Sequence, residues 1–390
     1  MPGPMFARVI PEPVLPDFDG ACLSNLVPVL LAQVARPGTA ERTAAVSQVP
    51  PWLPAPLTRA RQIVLLVLDG LGWEQLTERR ALAPTLDQGT GTPITSVAPS
   101  TTAAALTSLA TGLPPAVHGV VGYRVQVGGE ILNILGWRLG GKDARRSIRP
   151  REFQPHRSFP GARGPVPVVS RADYGPTGFS AAHLGDAVLH GWHSPSGLVV
   201  EVDALLRSRA PFVYAYYDGI DRVAHARGLG EHYASELQAV DRLVADLLSV
   251  LPPGAVLAVT ADHGQVEVGP TVEVIPAELM TEVQLISGEG RFRWLHVRPG
   301  AADDVAAAAR QVFGHLAWVR TAAEVVEEGW LGGQPTPTVA SRLGDVALVP
   351  FEPTAFLDPA DTGELRLAAR HGSLTSAEML VPLLAFETTG

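Results

Sequence analysis

Cysteine is nearly absent from this 390-residue chain: Cys22 is the only one. An intramolecular disulfide and any multi-cysteine metal site are thereby excluded, and Cys22 reads as a small buried apolar residue. Positive charge is also short. Thirty Lys and Arg stand against 39 Asp and Glu, giving a formal net charge of -9. Broad electrostatic binding to nucleic acid or to an anionic membrane is therefore not expected. A small anionic substrate stays open, because bound metal ions can reverse a local field. No apolar run reaches membrane-spanning length. Met1-Pro2-Gly3-Pro4-Met5 shows no basic segment followed by an apolar one, so the expectation is a cytoplasmic protein. No internal repeat is evident.

What is present suits a large folded α/β protein. Hydrophobic residues make up 46% and charged residues 18%, enough for a substantial core. Thirty-nine Gly and 35 Pro imply many turns. Residues 1–60 are proline-rich and suggest a wrapping segment with one short helix near Leu23–Val34.

Ile63-Val64-Leu65-Leu66-Val67-Leu68 is apolar on both faces, as a central parallel strand requires, and it ends in Asp69-Gly70. Phe212–Tyr217 ends in Asp218, and Ala255–Ala261 ends in Asp262-His263-Gly264. Three such strands delivering carboxylates at the same end predict one site along the carboxyl edge of a mostly parallel sheet flanked by helices. Residues 230–250 place Leu237, Val240, Val244 and Leu247 on one helical stripe. The stretch 140–180 reads as irregular, basic and long for a loop. Arg293–Val297, Ala302–Phe313 and Ala317–Val319 read as strand, helix and strand. They predict a small α/β cap over 267–366, inserted into a core made of 1–266 and 367–390.

Pro99-Ser100-Thr101-Thr102 precedes a small apolar run, Ala103–Gly112. A hydroxyl there can cap a helix, and the backbone N–H groups at a helix start favour an anion. Asp221 and His225, four apart, share one helix face. Asp262 and His263 can meet at one metal only if the backbone turns, which Gly264 allows. His371 lies near the C-terminus.

In this order, these motifs resemble the alkaline phosphatase superfamily, and within it the nucleotide pyrophosphatase/phosphodiesterase branch. Actinobacterial cyclic di-AMP phosphodiesterases are similar. The resemblance implies an alkaline-phosphatase-like core and two divalent metals, zinc first and manganese second. One metal would be held by Asp221, His225 and His371. The other would be held by Asp69, Asp262 and His263, with Thr102 as a further ligand. Thr102 takes the nucleophile position, with Thr101 next to it, and a phospho-threonine intermediate follows. The substrate implied is a nucleotide phosphodiester or pyrophosphate, with cyclic di-AMP favoured. One departure stands out. The branch usually carries an asparagine shortly after its His-Gly pair, where this chain has Tyr123. Tyr123 and the adjacent Arg124 are therefore the candidate substrate contacts. Arg124 would suit a phosphomonoesterase or phosphomutase, the main alternative reading. A non-catalytic nucleotide-binding protein is the other. A sulfatase is disfavoured because Thr102 cannot become formylglycine.

Overall fold

The computed structural model describes residues 10–34, 49–270 and 272–387. A seven-stranded sheet forms its centre. In chain order its strands are β1 (Gln62–Leu68), β2 (Thr90–Thr95), β3 (Pro167–Arg171), β4 (Val188–Trp192), β5 (Phe212–Tyr217), β6 (Ala255–Thr260) and β7 (Leu380–Glu387). In space the order is β2-β7-β6-β1-β5-β3-β4. β7 pairs antiparallel with both of its neighbours, and the other pairings are parallel. The continuous apolar runs sit in the middle. Every residue of β5 and β6 is buried, as are all of β1 except Gln62. Each large apolar side chain buried there contributes roughly 1.5–3 kcal/mol relative to exposure, which lets the sheet edge hold carboxylates out of water.

Helices cover the sheet: α1 (Leu23–Val34), α2 (Thr102–Thr111), α3 (Pro195–Arg207), α4 (Gly219–Arg227) and α5 (Glu231–Ser249). The stripe expected on α5 is buried. The stretch 140–180 departs from the expectation of an irregular loop. It contributes β3 to the central sheet, together with the short helices Pro150–Phe153 and Gly178–His183. β3 was hidden because it is only five residues long, opens on Pro167 and closes on the polar Ser170-Arg171.

Two further sheets approach the carboxyl edge. Arg124–Val127, Glu130–Asn133, Arg138–Leu139 and Lys142–Asp143 form a small antiparallel sheet. Val283–Glu289, Phe292–Val297, Ala317–Thr321 and Val346–Pro350 form another, on which α6 (Ala302–Phe313) packs. The latter has its own apolar cluster, including Leu295, Phe313, Leu348 and Phe356. Two short strands, Val266–Glu267 and Ala369–Arg370, pair where the chain leaves the central sheet for this unit and returns.

Candidate active site

Strand register brings the acids together. Val67 lies opposite Thr260, and Leu68 opposite Tyr217. Asp69, Asp218 and Asp262 therefore leave the sheet at one edge. The Asp69 N–H bonds the Tyr217 carbonyl, and the Asp221 N–H bonds the Asp69 carbonyl, each about 3 Å away. Gly70 makes this crossing possible. Its φ is +77°, and a Cβ there would press on the Asp221 backbone and Cβ. At Gly264 the requirement is different from the turn expected. A Cβ would stand 2.0 Å from the Ala377 carbonyl oxygen, so glycine is needed for close packing.

Three histidines share one arrangement. Nδ1 of His225 lies 2.8 Å from the Ala369 carbonyl, Nδ1 of His263 lies 3.0 Å from that of Gly264, and Nδ1 of His371 lies 3.0 Å from that of Ser100. A carbonyl only accepts, so each Nδ1 holds a proton and each Nε2 carries a lone pair when the ring is neutral. These Nε2 atoms face carboxylates. His225 and His371 lie 3.3 and 3.8 Å from Asp221 Oδ1. His263 lies 3.4 Å from both Asp69 Oδ1 and Asp262 Oδ2. Those two oxygens are buried and accept no hydrogen bond. Asp69 Oδ2 accepts from the Tyr216 hydroxyl, and Asp262 Oδ1 accepts from the Gly70 and His263 N–H groups. Desolvation, then the charges of Asp262 and Asp221, raises the Asp69 pKa well above the ordinary carboxylate value.

These residues fit divalent metal ions. Among the described residues, ion pairs of Asp69, Asp221 and Asp262 run only to histidines. Lone pairs without partners, next to histidines oriented by backbone carbonyls, are the donor set of a nitrogen- and oxygen-ligated site. The ligand atoms of Asp221, His225 and His371 lie within 4.8 Å of one another, and so do those of Asp69, Asp221 and His263. Asp221 thus belongs to both groups. Asp262 stands beside the second group through its contact with His263.

Thr102 is the first residue of α2, and its Oγ1 lies 3.1 Å from His263 Nε2. Thr101 is the N-cap, but its side chain accepts no capping bond. The helix's first bond is from the Ala105 N–H to the Thr101 carbonyl, so the N–H groups of Thr102 and Ala103 have no partner within the helix. Two cavities meet at this threonine. One, of about 260 Å³, runs toward Val168, Tyr174, Phe179 and His183. The other, of about 390 Å³, runs toward Tyr123, Glu289, Arg291 and Asp361. Thr102, Leu135 and Asp221 line both.

The remaining sequence candidates divide. Tyr123 lines the second cavity, and its hydroxyl accepts from Asn133 Nδ2 at 2.6 Å. Arg124 is turned away: its guanidinium binds the Asp358 carboxylate and lies 3.5 Å from Asp361. It lines neither cavity. Asp218 stays outside the histidine–carboxylate cluster, accepting from the Tyr174 hydroxyl and facing Arg171 and Arg222. The basic residues Lys142, Arg145, Arg146, Arg149 and Arg151 are exposed. Three partners were not foreseen: Tyr216 on Asp69, Gln265 on Asp221 and Glu289 at the Tyr123 N–H. For Gln265 a signal existed, two residues after His263.

The sequence matches the type I phosphodiesterase / nucleotide pyrophosphatase family over residues 63–131 and 132–374. The chain belongs to that family. Its fold is that of the alkaline phosphatase superfamily. Murine ectonucleotide pyrophosphatase/phosphodiesterase 5 superimposes with a TM-score of 0.63 at 17% identity, covering 83% of this chain and 87% of that one. An inactive threonine-to-alanine variant of the murine protein, in complex with AMP, gives 0.61 at 16%, covering 83% and 87%. Phosphonoacetate hydrolase from Sinorhizobium meliloti, in complex with phosphonoformate, gives 0.62 at 21%, covering 86% and 90%. No curated protein matches in sequence. The chain is thus an enzyme of the phosphodiesterase / nucleotide pyrophosphatase class with candidate metal-binding groups. Among the described residues no helix is long and apolar enough to cross a membrane.

Proposed function

We propose that this enzyme cleaves a nucleotide phosphodiester or pyrophosphate bond through a phospho-Thr102 intermediate, with a cyclic dinucleotide such as cyclic di-AMP as the favoured substrate. Two divalent metals, zinc first and manganese second, would be held by Asp221, His225 and His371 and by Asp69, Asp262 and His263, with Thr102 beside the latter. The observation that carries the reading is the position of Thr102, at the open start of α2, 3.1 Å from His263 and on the shared wall of two cavities. A diester has two organic arms on one phosphorus, and two cavities diverging from one hydroxyl suit that shape.

Metals bound there would acidify the threonine hydroxyl and offset charge on the departing oxygen. The chain's own residues supply position. Unpaired N–H groups at the start of α2 favour the phosphoryl oxygens. Tyr216 fixes Asp69, and Gln265 fixes Asp221, so neither carboxylate has to reorganise. Thr102 Oγ1 gives up its proton to solvent and bonds to phosphorus as the opposite P–O bond breaks. The departing oxygen takes the bonding pair and then a proton from water. Water next attacks phosphorus and returns the hydroxyl to Thr102. Support for a reactive threonine comes also from the murine relative, inactive as a threonine-to-alanine variant. Arg124 favours a diester over a monoester, because the guanidinium that would clamp a dianionic phosphoryl group is already held by Asp358 and Asp361.

The test is a hydrolysis panel with zinc- and manganese-loaded protein: bis-p-nitrophenyl phosphate, p-nitrophenyl phosphate, a dinucleoside polyphosphate and cyclic di-AMP. Strong turnover of diesters with little of the monoester is expected. Rapid turnover of p-nitrophenyl phosphate alone would overturn the reading.

A further inference from the structure

The cavity reaching from Thr102 to the helix Gly178–His183 contains a histidine that phosphoryl transfer does not use. His183 is 4% exposed and lines this cavity. Its Nδ1 lies 2.7 Å from the Phe179 carbonyl, which only accepts, so that nitrogen holds the proton. Burial lowers the histidine pKa to about 4, and the ring is neutral at pH 7. Nε2 is therefore an acceptor, and no described residue donates to it. The ring is held flat against Phe179, with centroids 4.0 Å apart and planes 21° from parallel.

Several other polar groups along this cavity already have partners. Asp218 accepts from Tyr174 and faces Arg171 and Arg222. The hydroxyls of Thr177 and Ser180 both donate to the Tyr174 carbonyl. Asp69 Oδ1, beside the metal-binding groups, and the buried Tyr214 hydroxyl also lack partners, and His183 Nε2 is the neutral nitrogen acceptor that this lining offers a ligand entering beside Thr102.

We infer that His183 selects the base: its Nε2 accepts the exocyclic amine of adenine and meets unfavourably the carbonyl that guanine carries at the same ring position. The inference rests on the nucleotide reading above. Two lone pairs facing each other leave both acceptors unsatisfied, and a site built for a hydrogen bond rejects the ligand that cannot make it.

The test uses the full chain and reads equilibrium binding by calorimetry, so it does not depend on turnover. The ligands are AMP, GMP and the 5′-monophosphate of purine riboside, which lacks the amine. AMP is expected to bind about tenfold more tightly than either of the others, the equivalent of one hydrogen bond of about 1.4 kcal/mol. His183→Phe keeps the stacking surface and should bring the three affinities within about twofold of one another. Equal binding of all three by the unaltered protein would overturn the inference whatever the variant does. So would an AMP preference that survives His183→Phe. If AMP is preferred but no diester is hydrolysed, the base selector stands and the proposed reaction fails.

Discussion

The imidazoles of His263 and His371 stack face to face, with centroids 3.5 Å apart and planes 12° from parallel. The motif resemblance assigns them to different metals, yet they touch. Two cations cannot share that geometry cheaply. Desolvation, then the neighbouring His263 and His225, keeps the His371 pKa well below the ordinary histidine value. The His371 ring therefore offers its Nε2 lone pair to the compact centre on which His263 also borders.

Loss of a ligand on either side should then be visible in metal content. His371→Ala and Asp262→Asn are each expected to lower bound metal from about two equivalents to about one, because under the proposed assignment each removes a donor from a different half of a paired site. Elemental analysis after dialysis measures this directly. Unchanged stoichiometry in both variants would refute the ligand set.

Thr102 and Thr101 are neighbours with different geometry. Thr102 Oγ1 faces His263, whereas Thr101 ends the extended approach to α2 with φ −124° and ψ 145°. Thr102→Ala is expected to reduce kcat for a diester by about 1,000-fold or more, the loss typical of a removed nucleophile. Thr101→Ala should cost less than about tenfold, since that variant keeps the attacking group. Steady-state kinetics on bis-p-nitrophenyl phosphate separates the two, and the reverse ranking would assign the nucleophile to Thr101.

Much of this centre was legible because burial on both faces writes β1, β5 and β6 as unbroken apolar runs, and a charged residue ending such a run marks the sheet edge. What the runs could not show is which carboxylate turns inward. Asp69 and Asp218 end neighbouring strands in equivalent sequence settings. Tyr216 binds Asp69 from within the sheet, whereas Tyr174 and Arg171, from the stretch taken as irregular, draw Asp218 away. The same limit applies to Arg124. Its partners Asp358 and Asp361 lie more than 230 residues on, beyond any local pattern.

Arg291 and Glu378 form a fully buried bidentate pair, with Nε–Oε1 at 3.0 Å and Nη2–Oε2 at 2.6 Å. It joins the sheet containing Phe292–Val297 to the short helix Ser376–Met379 just before β7. Glu378 also accepts from the Ser373 N–H and the Thr375 hydroxyl, in the segment that follows His371. Glu378→Ala leaves a buried guanidinium without its counter-ion and should lower stability by about 3–5 kcal/mol. Urea unfolding tests this. A loss below about 1 kcal/mol would mean that the pair is not holding the two units together.

His118 provides a prediction for acid stability. Its Nδ1 accepts the Val120 N–H at 3.1 Å, so the proton sits on Nε2, 2.8 Å from the Ser108 hydroxyl. A second proton would have to displace the Val120 bond inside the core. Burial, with smaller effects from His156 and Arg342, lowers the pKa from 6.5 to about 3. The folded state thus resists a proton that the unfolded chain accepts. The contribution is complete above pH 6.5, falls as pH drops from 6.5 toward 3, and levels off below that. The slope for one such group is about 1.4 kcal/mol per pH unit. Between pH 7 and pH 5, His118→Gln should lose about 2 kcal/mol less stability than the unaltered protein, whatever its starting stability, because glutamine has no proton to take up. Urea titrations at the two pH values give the comparison. Equal losses would mean that His118 takes up its proton as readily folded as unfolded, and that the Val120 bond does not fix its tautomer.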